Sequence, residues 1–288
     1  MSEIGRSKPK PLEKVVAQIH DVSTLPHVAL KLMEVAGNIN SCAGDLKDVM
    51  EMDPSLSSRV LRSVNSSAFG LRQKITNLQH AIAYLGFKQV RNLAMTAAVS
   101  ELFREQVQLG SYTRLNLWRH MVSVGITARL IAVRMSFLNF EDVFLAGLLH
   151  DIGIVLEDQQ VHSEFTRVAQ TLTDGDDLIE VERAELGFDH TQLGARVSET
   201  WSFPEGVKLA VRYHHNTSLY DGEHIETLRC VAVANLICTL KGISAMGRNA
   251  VAFDREAFEG LSLRREDVLV LSESVDQELA KNTVLFEM

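Results

Sequence analysis

The sequence sets a histidine beside an aspartate, His150-Asp151, at the end of the apolar run Phe144-Leu145-Ala146-Gly147-Leu148-Leu149. Neutral imidazole and carboxylate are ligands that zinc, iron and manganese accept, so the pair is a candidate part of a metal site. Adjacent residues on a regular helix point about 100° apart, and a shared ion is easiest where a helix ends. Gly153 follows closely and lets the chain turn there. Four further histidines lie on helically patterned segments: His120 among Trp118, Val122, Val124 and Ile126; His190; and His214-His215, which close the segment after Phe203-Pro204. Imidazoles from separate helices can converge on one ion inside a bundle. The competing reading is packing, because a single histidine on an apolar helix is ordinarily a hydrogen-bonded core or surface residue. His20, His27, His80, His162 and His224 are read that way, and for the other five both readings stand at this point.

Positioning such a site requires helices, and apolar residues recur at helical spacing along almost the whole chain with no sustained strand alternation. The fold is predicted to be all-α. Asp53-Pro54 supplies an N-cap and a first-turn proline ahead of the stripe Leu56, Val60, Leu61, Val64, and that helix should end near Asn65. Asn77 should cap a short helix holding Ala81, Ile82 and Leu85, closed by Gly86. Further helices are expected at roughly 88–104, 113–135, 141–150, 162–172, 177–186, 190–201, 205–215, 223–241 and 265–280. The short amide of Asn65 should satisfy freed carbonyls or turn amides before Ser66-Ser67-Ala68-Phe69-Gly70, with Phe69 anchoring the turn in the core. The alternative is that this turn is a partner-binding loop. The polar stretch Gly110-Ser111-Tyr112-Thr113 divides the chain, with three histidines before it and seven after.

The 288 residues carry 29 Lys+Arg against 37 Asp+Glu, a formal charge of −8, which argues against direct nucleic-acid binding. No Lys/Arg-rich amphipathic segment, signal peptide or run long enough to span a bilayer is visible, so neither membrane contact nor export is expected and the chain should be cytoplasmic. Cys42, Cys230 and Cys238 are too few for a disulfide framework and read as reduced core thiols.

Ordered blocks then carry a family resemblance. Leu117-Trp118-Arg119-His120, the run FLAGLLHDIG from Phe144 to Gly153, Glu182 through His190, Trp201-Ser202-Phe203-Pro204-Glu205 and Tyr213-His214-His215 resemble the HDOD domain, a relative of the HD and HD-GYP phosphohydrolases. In the first half, Leu25-Pro26, Asp53-Pro54-Ser55-Leu56, Asn65 to Gly70, Ala81-Ile82 with Leu85-Gly86, and Arg91-Asn92-Leu93 are similar to that family's N-terminal helical signature. The resemblance covers Leu12 to Leu271. It implies a flexible segment 1–11 and an N-terminal helical subdomain 12–110 packed on an HD-like helical subdomain 111–288 that carries a C-terminal helical extension. It also implies a regulatory role in bacterial signal transduction, through a signalling protein partner or a fused sensor or receiver domain, as in the output part of a response regulator.

By the same resemblance His120, His150, Asp151, His190, His214 and His215 match ligand positions of the HD-GYP relatives, while Asn235 and Asn116 stand where those relatives carry acids. Ile154 replaces a lysine and no Gly-Tyr-Pro signature is present. With Asp151 as the sole carboxylate, two divalent ions are poorly compensated, and at most one divalent transition-metal ion is expected. Asn116 and Asn235 should lie on the rim of the pocket. In the absence of an ion, Asp151 should accept hydrogen bonds from the imidazoles and raise their pKa. Two functions follow: a non-catalytic regulatory module, which we favour, or a metal-dependent phosphohydrolase with a reduced HD site.

Overall fold

The computed structural model describes residues 10–21 and 25–287; the rest of the expected N-terminal segment, up to residue 9, and the side chain of His20 lie outside the described residues. The first half holds α1 (Leu12–Asp21), α2 (His27–Gly37), α3 (Ala43–Glu51), α4 (Pro54–Val64), α5 (Leu78–Leu85) and α6 (Phe87–Val99). A minimal antiparallel hairpin follows, β1 (Gln108–Leu109) and β2 (Tyr112–Thr113), with Leu109 opposite Tyr112. The second half holds α7 (Arg114–Arg134), α8 (Phe140–Leu149), α9 (Ile152–Gln160), α10 (His162–Thr171), α11 (Leu178–Leu186) and α12 (His190–Thr200), then α13 (Glu205–Tyr213), α14 (Ile225–Leu240), α15 (Arg255–Gly260) and α16 (Arg265–Lys281). The fold is all-α, as its patterning predicts.

Local chemistry sets several of these boundaries. The Asp53 carboxylate accepts from the amides of Ser55 (2.8 Å) and Leu56 (3.1 Å), holding the first turn of α4, and Leu56, Val60 and Val64 are buried on one stripe. Asn77 caps α5 by accepting from the amide of His80 at 2.8 Å. Helices α1, α2, α3 and α15 are additions to the expected set, and so is α9. Its residues Ile152 to Asp158 are all buried, so it shows no polar face and hence no amphipathic period. Two glycines, Gly125 on α7 and Gly147 on α8, meet where those helices cross, and a Cβ on Gly147 would stand 2.9 Å from the Gly125 Cα.

The two halves join across a polar-edged seam. Asp142 on α8 pairs with Lys88 (2.7 Å) and Arg91 (3.0 Å) of α6, and the Asn92 amide donates to the carbonyl and side chain of Glu141, each at 2.8 Å. Val90 through Val99 of α6 are all buried, which places this helix in the interior. Helix α1, expected with the first half, packs on α12 and α9 of the second, with Arg196 meeting Glu13 at 2.6 Å. Among the described residues no helix is long and apolar enough to cross a membrane. Cys230 and Cys238 are buried thiols, Cys238 pushed up to about 12 by burial, whereas Cys42 is exposed and departs from the core reading.

The turn after α4 is clamped by Asn65. Its amide nitrogen donates to the carbonyls of Leu61 (2.7 Å) and Ile75 (2.8 Å), and its oxygen accepts from the Ile75 amide at 2.8 Å. Phe69 is half-buried and packs against the core. Asn65→Ala removes all three bonds and should cost about 2–3 kcal/mol, read as a fall in Tm. An unchanged Tm would show that the turn holds itself without this side chain.

Candidate metal centre

Three helices and a junction bring the six residues together. His120 lies inside α7; His150 and Asp151 form the break between α8 and α9; His190 opens α12; His214 and His215 follow α13. The break arises because α8 ends at Leu149 while Asp151 takes φ −100°, ψ 19°, and α9 restarts at Ile152. Gly153 therefore sits inside α9 and not in a turn. Its task is close approach, since a Cβ there would overlap the His190 carbonyl oxygen and stand 2.8 Å from the carbonyl carbon. At the start of α12, Asp189 caps the helix, accepts from the Gln192 amide at 3.0 Å, and is itself gripped by Arg183 at 2.8 Å.

Asp151 is the hub. Its Oδ2 lies 3.2 Å from His150 Nε2 and 3.4 Å from His120 Nε2, and its Oδ1 lies 3.2 Å from His214 Nε2 and 3.5 Å from His190 Nε2. His215 Nε2 stands 3.1 Å from His190 Nε2. The ligand atoms fall into two groups that share Asp151: one with His120 and His150, the other with His190, His214 and His215. His120, His150 and His190 are 0% exposed, Asp151 and His214 2%, and His215 is half-buried.

The other ring nitrogens fix the tautomers. His120 Nδ1 donates to the Ile243 carbonyl (2.7 Å), His150 Nδ1 to the Gly147 carbonyl (2.7 Å) and His214 Nδ1 to the Ala210 carbonyl (2.9 Å), while His190 Nδ1 donates to Glu182 Oε2 (2.7 Å). A carbonyl only accepts, so Nδ1 carries the proton, and the Nε2 of a neutral ring is a bare lone pair. The lone pairs of His120, His150 and His214 face Asp151, which also only accepts. His120, His150 and His214 Nε2 and Asp151 Oδ1 are accordingly buried with no hydrogen-bond partner. Something positive between them resolves the repulsion, and the residues present fit a divalent cation. The carboxylate behind His190 and the carbonyls behind the others are the outer partners that orient metal-binding imidazoles.

Titration behaviour departs from the sequence-based expectation. Burial pushes His150 down to about 4 against the opposing pull of Asp151, and burial with the neighbouring His214 and His190 holds His215 well below the usual range. His190 rises, to about 9: burial opposes its charge, but Glu182 leads the groups that outweigh it, with Asp151 and Asp189 adding. Asn235 also differs from expectation, being 1% exposed on α14 and not on a rim, with the Thr239 hydroxyl 3.4 Å from its Oδ1; Asn116 is half-buried. The histidines read as packing behave so where described: His27 and His80 are exposed, His162 holds Asp158 at 2.9 Å from a side chain 53% exposed, and His224 is half-buried.

Two acids behind His190 escaped the sequence reading. Glu182 takes both the amide (3.0 Å) and the ring of His190, and its place four residues from buried Leu178 and Leu186 put it on the inward stripe of α11. Glu157 lies on α9 with both oxygens buried and unpartnered, and burial followed by the charges of Glu182 and Asp189 raises its pKa well above the usual 4.5. The folded state therefore prefers it protonated. Stability tied to Glu157 is present below the unfolded carboxyl range and is lost as pH rises through the raised value. Glu157→Gln removes that loss and offers an amide proton to the unpartnered Glu182 Oε1. A Tm gain on the order of a few degrees, absent at acid pH and growing toward neutrality, is the expected outcome; a gain independent of pH would contradict a protonated Glu157.

Comparison with known proteins agrees with this architecture. A curated uncharacterised protein of Treponema pallidum (strain Nichols) is 22% identical over 238 residues, 81% of this chain and 45% of that protein. The crystal structure of a protein assigned to signal transduction from Marinobacter aquaeolei VT8 matches with a TM-score of 0.76 at 27% identity, over 99% of this chain and 62% of that one. An HDOD domain protein of unknown function from Geobacter sulfurreducens matches with a TM-score of 0.69 at 23% identity, over 92% and 97%. The chain thus spans less than half of the Treponema relative and less than two thirds of the Marinobacter one. The sequence model of the HDOD domain covers residues 22–217, well over half of the molecule, and the chain belongs to the HDOD family.

Proposed function

We propose that this chain is a non-catalytic regulatory module of signal transduction that acts through protein contacts, with a signalling protein or a fused sensor or receiver domain as partner. Its His/Asp cluster is kept as a closed site for at most one divalent transition-metal ion. The observation that carries this reading is closure: five of the six ligand-type residues are 2% exposed or less. Attack on a phosphoester requires the phosphorus to sit beside the ligand atoms, and substrate sites are concave and open to receive it. Charge supports the same view. Two divalent ions would bring four positive charges to ligand groups whose sole carboxylate is Asp151. A single bound ion supplies positive charge to the inward lone pairs and ties α7, α8, α12 and α13 together. The assignment of the Marinobacter relative to signal transduction points the same way.

The test is a hydrolysis assay on cyclic dinucleotides and an aryl phosphate with Mn²⁺ or Fe²⁺ added to the intact chain. No turnover above the metal-only blank is expected. Turnover that disappears in Asp151→Ala would replace this reading with a metal-dependent phosphohydrolase of reduced site, the alternative that the paired ligand groups keep in view.

A further inference from the structure

We infer that the face formed by α4, the loop 65–77 and α5 is a docking surface for an acidic, apolar-anchored segment of a partner protein; this rests on the reading of the chain as a contact module. In a chain of net charge −8, residues 54–100 contain Arg59, Arg62, Arg72, Lys74, Lys88 and Arg91 and not one Asp or Glu. Half of these cations are engaged within the molecule, Arg59 with Glu101 and both Lys88 and Arg91 with Asp142. Arg62, Arg72 and Lys74 are exposed and, among the described residues, have no ion-pair or hydrogen-bond partner. They gather at two open hollows on either side of one loop. The first, about 750 Å³, is lined by Leu61, Arg62, Lys74 and Ile75 among others; the second, about 710 Å³, by Arg72, Lys74, His80 and Tyr84 among others. Lys74 faces both.

Local chemistry holds the loop in place: the three bonds of Asn65 tie Ile75 to the end of α4. A clamped loop presents its cations at little cost in ordering when a partner arrives. The hollows also offer apolar contact, since Leu61, Leu71 and Ile75 are half-buried at their floor and Tyr84 is 63% exposed. Unpaired cations steer and orient an acidic segment, and apolar or aromatic anchors in a hollow carry most of the affinity. A nucleic acid fits less well. A long polyanion would meet the acidic remainder of the surface, and two rings, His80 and Tyr84, both at the second hollow, give no run of stacking platforms.

The experiment uses the intact chain and a fluorescein-labelled peptide of alternating Glu and Leu, followed by anisotropy at low and moderate salt. Wild type should bind, more weakly as salt rises. The triple variant Arg62→Glu, Arg72→Glu, Lys74→Glu should bind at least about tenfold more weakly. A control with the same charge change, Arg248→Glu, Arg255→Glu, Lys281→Glu, should bind as wild type does. All six positions are exposed, so both variants should keep the wild-type Tm to within a few degrees. The inference is overturned if wild type does not bind, if both variants lose binding equally, or if labelled oligothymidylate binds more tightly and is lost in the first triple. It is also overturned if the first triple abolishes self-association seen by sedimentation, which would make a second copy the occupant. Peptide binding reads neither metal nor turnover, so a hydrolase found by the assay above would leave this result standing, and loss of the peptide site would not by itself make the chain an enzyme.

Discussion

Gly153→Ala is expected to lower the stability of the chain by about 3 kcal/mol and to disperse the His/Asp cluster in the same step. The added Cβ would overlap the carbonyl oxygen of His190 and lie 2.8 Å from its carbonyl carbon, and these are backbone atoms that no side-chain rotation can clear. Helix α9 must then move away from the start of α12. That motion separates Asp151, which immediately precedes α9, from His190, which opens α12, and withdraws His190 from Glu182. Calorimetry should show a large fall in Tm, and the His190 ring proton signals should shift away from their wild-type positions. Gly44→Ala is the control, because a Cβ there would make only ordinary contact, 3.5 Å from the Cys42 sulfur. A Gly153 variant as stable as the Gly44 variant would show that α9 and α12 are not held at the distance described.

Asn235→Asp combined with Asn116→Glu should raise the metal content of the chain. Asn116 lies one helical turn before His120 on α7, and Asn235 is buried on α14, which packs against α7. The two changes place negative charge where the relatives of this fold carry it, so a second divalent ion gains the compensation that Asp151 alone does not supply. The expected change is from at most one bound ion to more than one in protein that remains folded. No gain would mean that closure of the cluster, and not its charge, limits occupancy. Without added metal, a carboxylate at the buried position of Asn235 should also be destabilising, so the Tm of this variant should respond to metal far more than that of wild type.

What the sequence made readable was the chemistry that acts within a few residues. Asp53-Pro54 and Asn77 marked helix starts because a cap is satisfied by amides two or three positions on, and Asn65 was legible as a structural amide for the same reason. Depth was not legible. Helix α9 is buried all round and lacks the period that reveals a surface helix, and the glycine inside it looked like a turn because its close neighbour, the His190 backbone, lies far along the chain. The six clustered residues come from α7, α12 and the ends of α8 and α13, so their convergence followed from matched family positions and not from spacing. The direction of the His150 shift was misjudged because a single carboxylate was weighed without the complete burial that opposes it. Glu182 was within reach, since its spacing from Leu178 and Leu186 puts an acid on an apolar stripe, which is costly unless it serves a partner.

The cluster is proposed as a closed site for a single ion at most, in a protein that works by contact. The most direct test is metal analysis of chain purified without chelators, by inductively coupled plasma mass spectrometry, with the same sample assayed for hydrolysis of a cyclic dinucleotide. No more than one equivalent of transition metal per chain, its loss in Asp151→Ala, and no turnover are expected. Two equivalents accompanied by turnover would contradict this proposal.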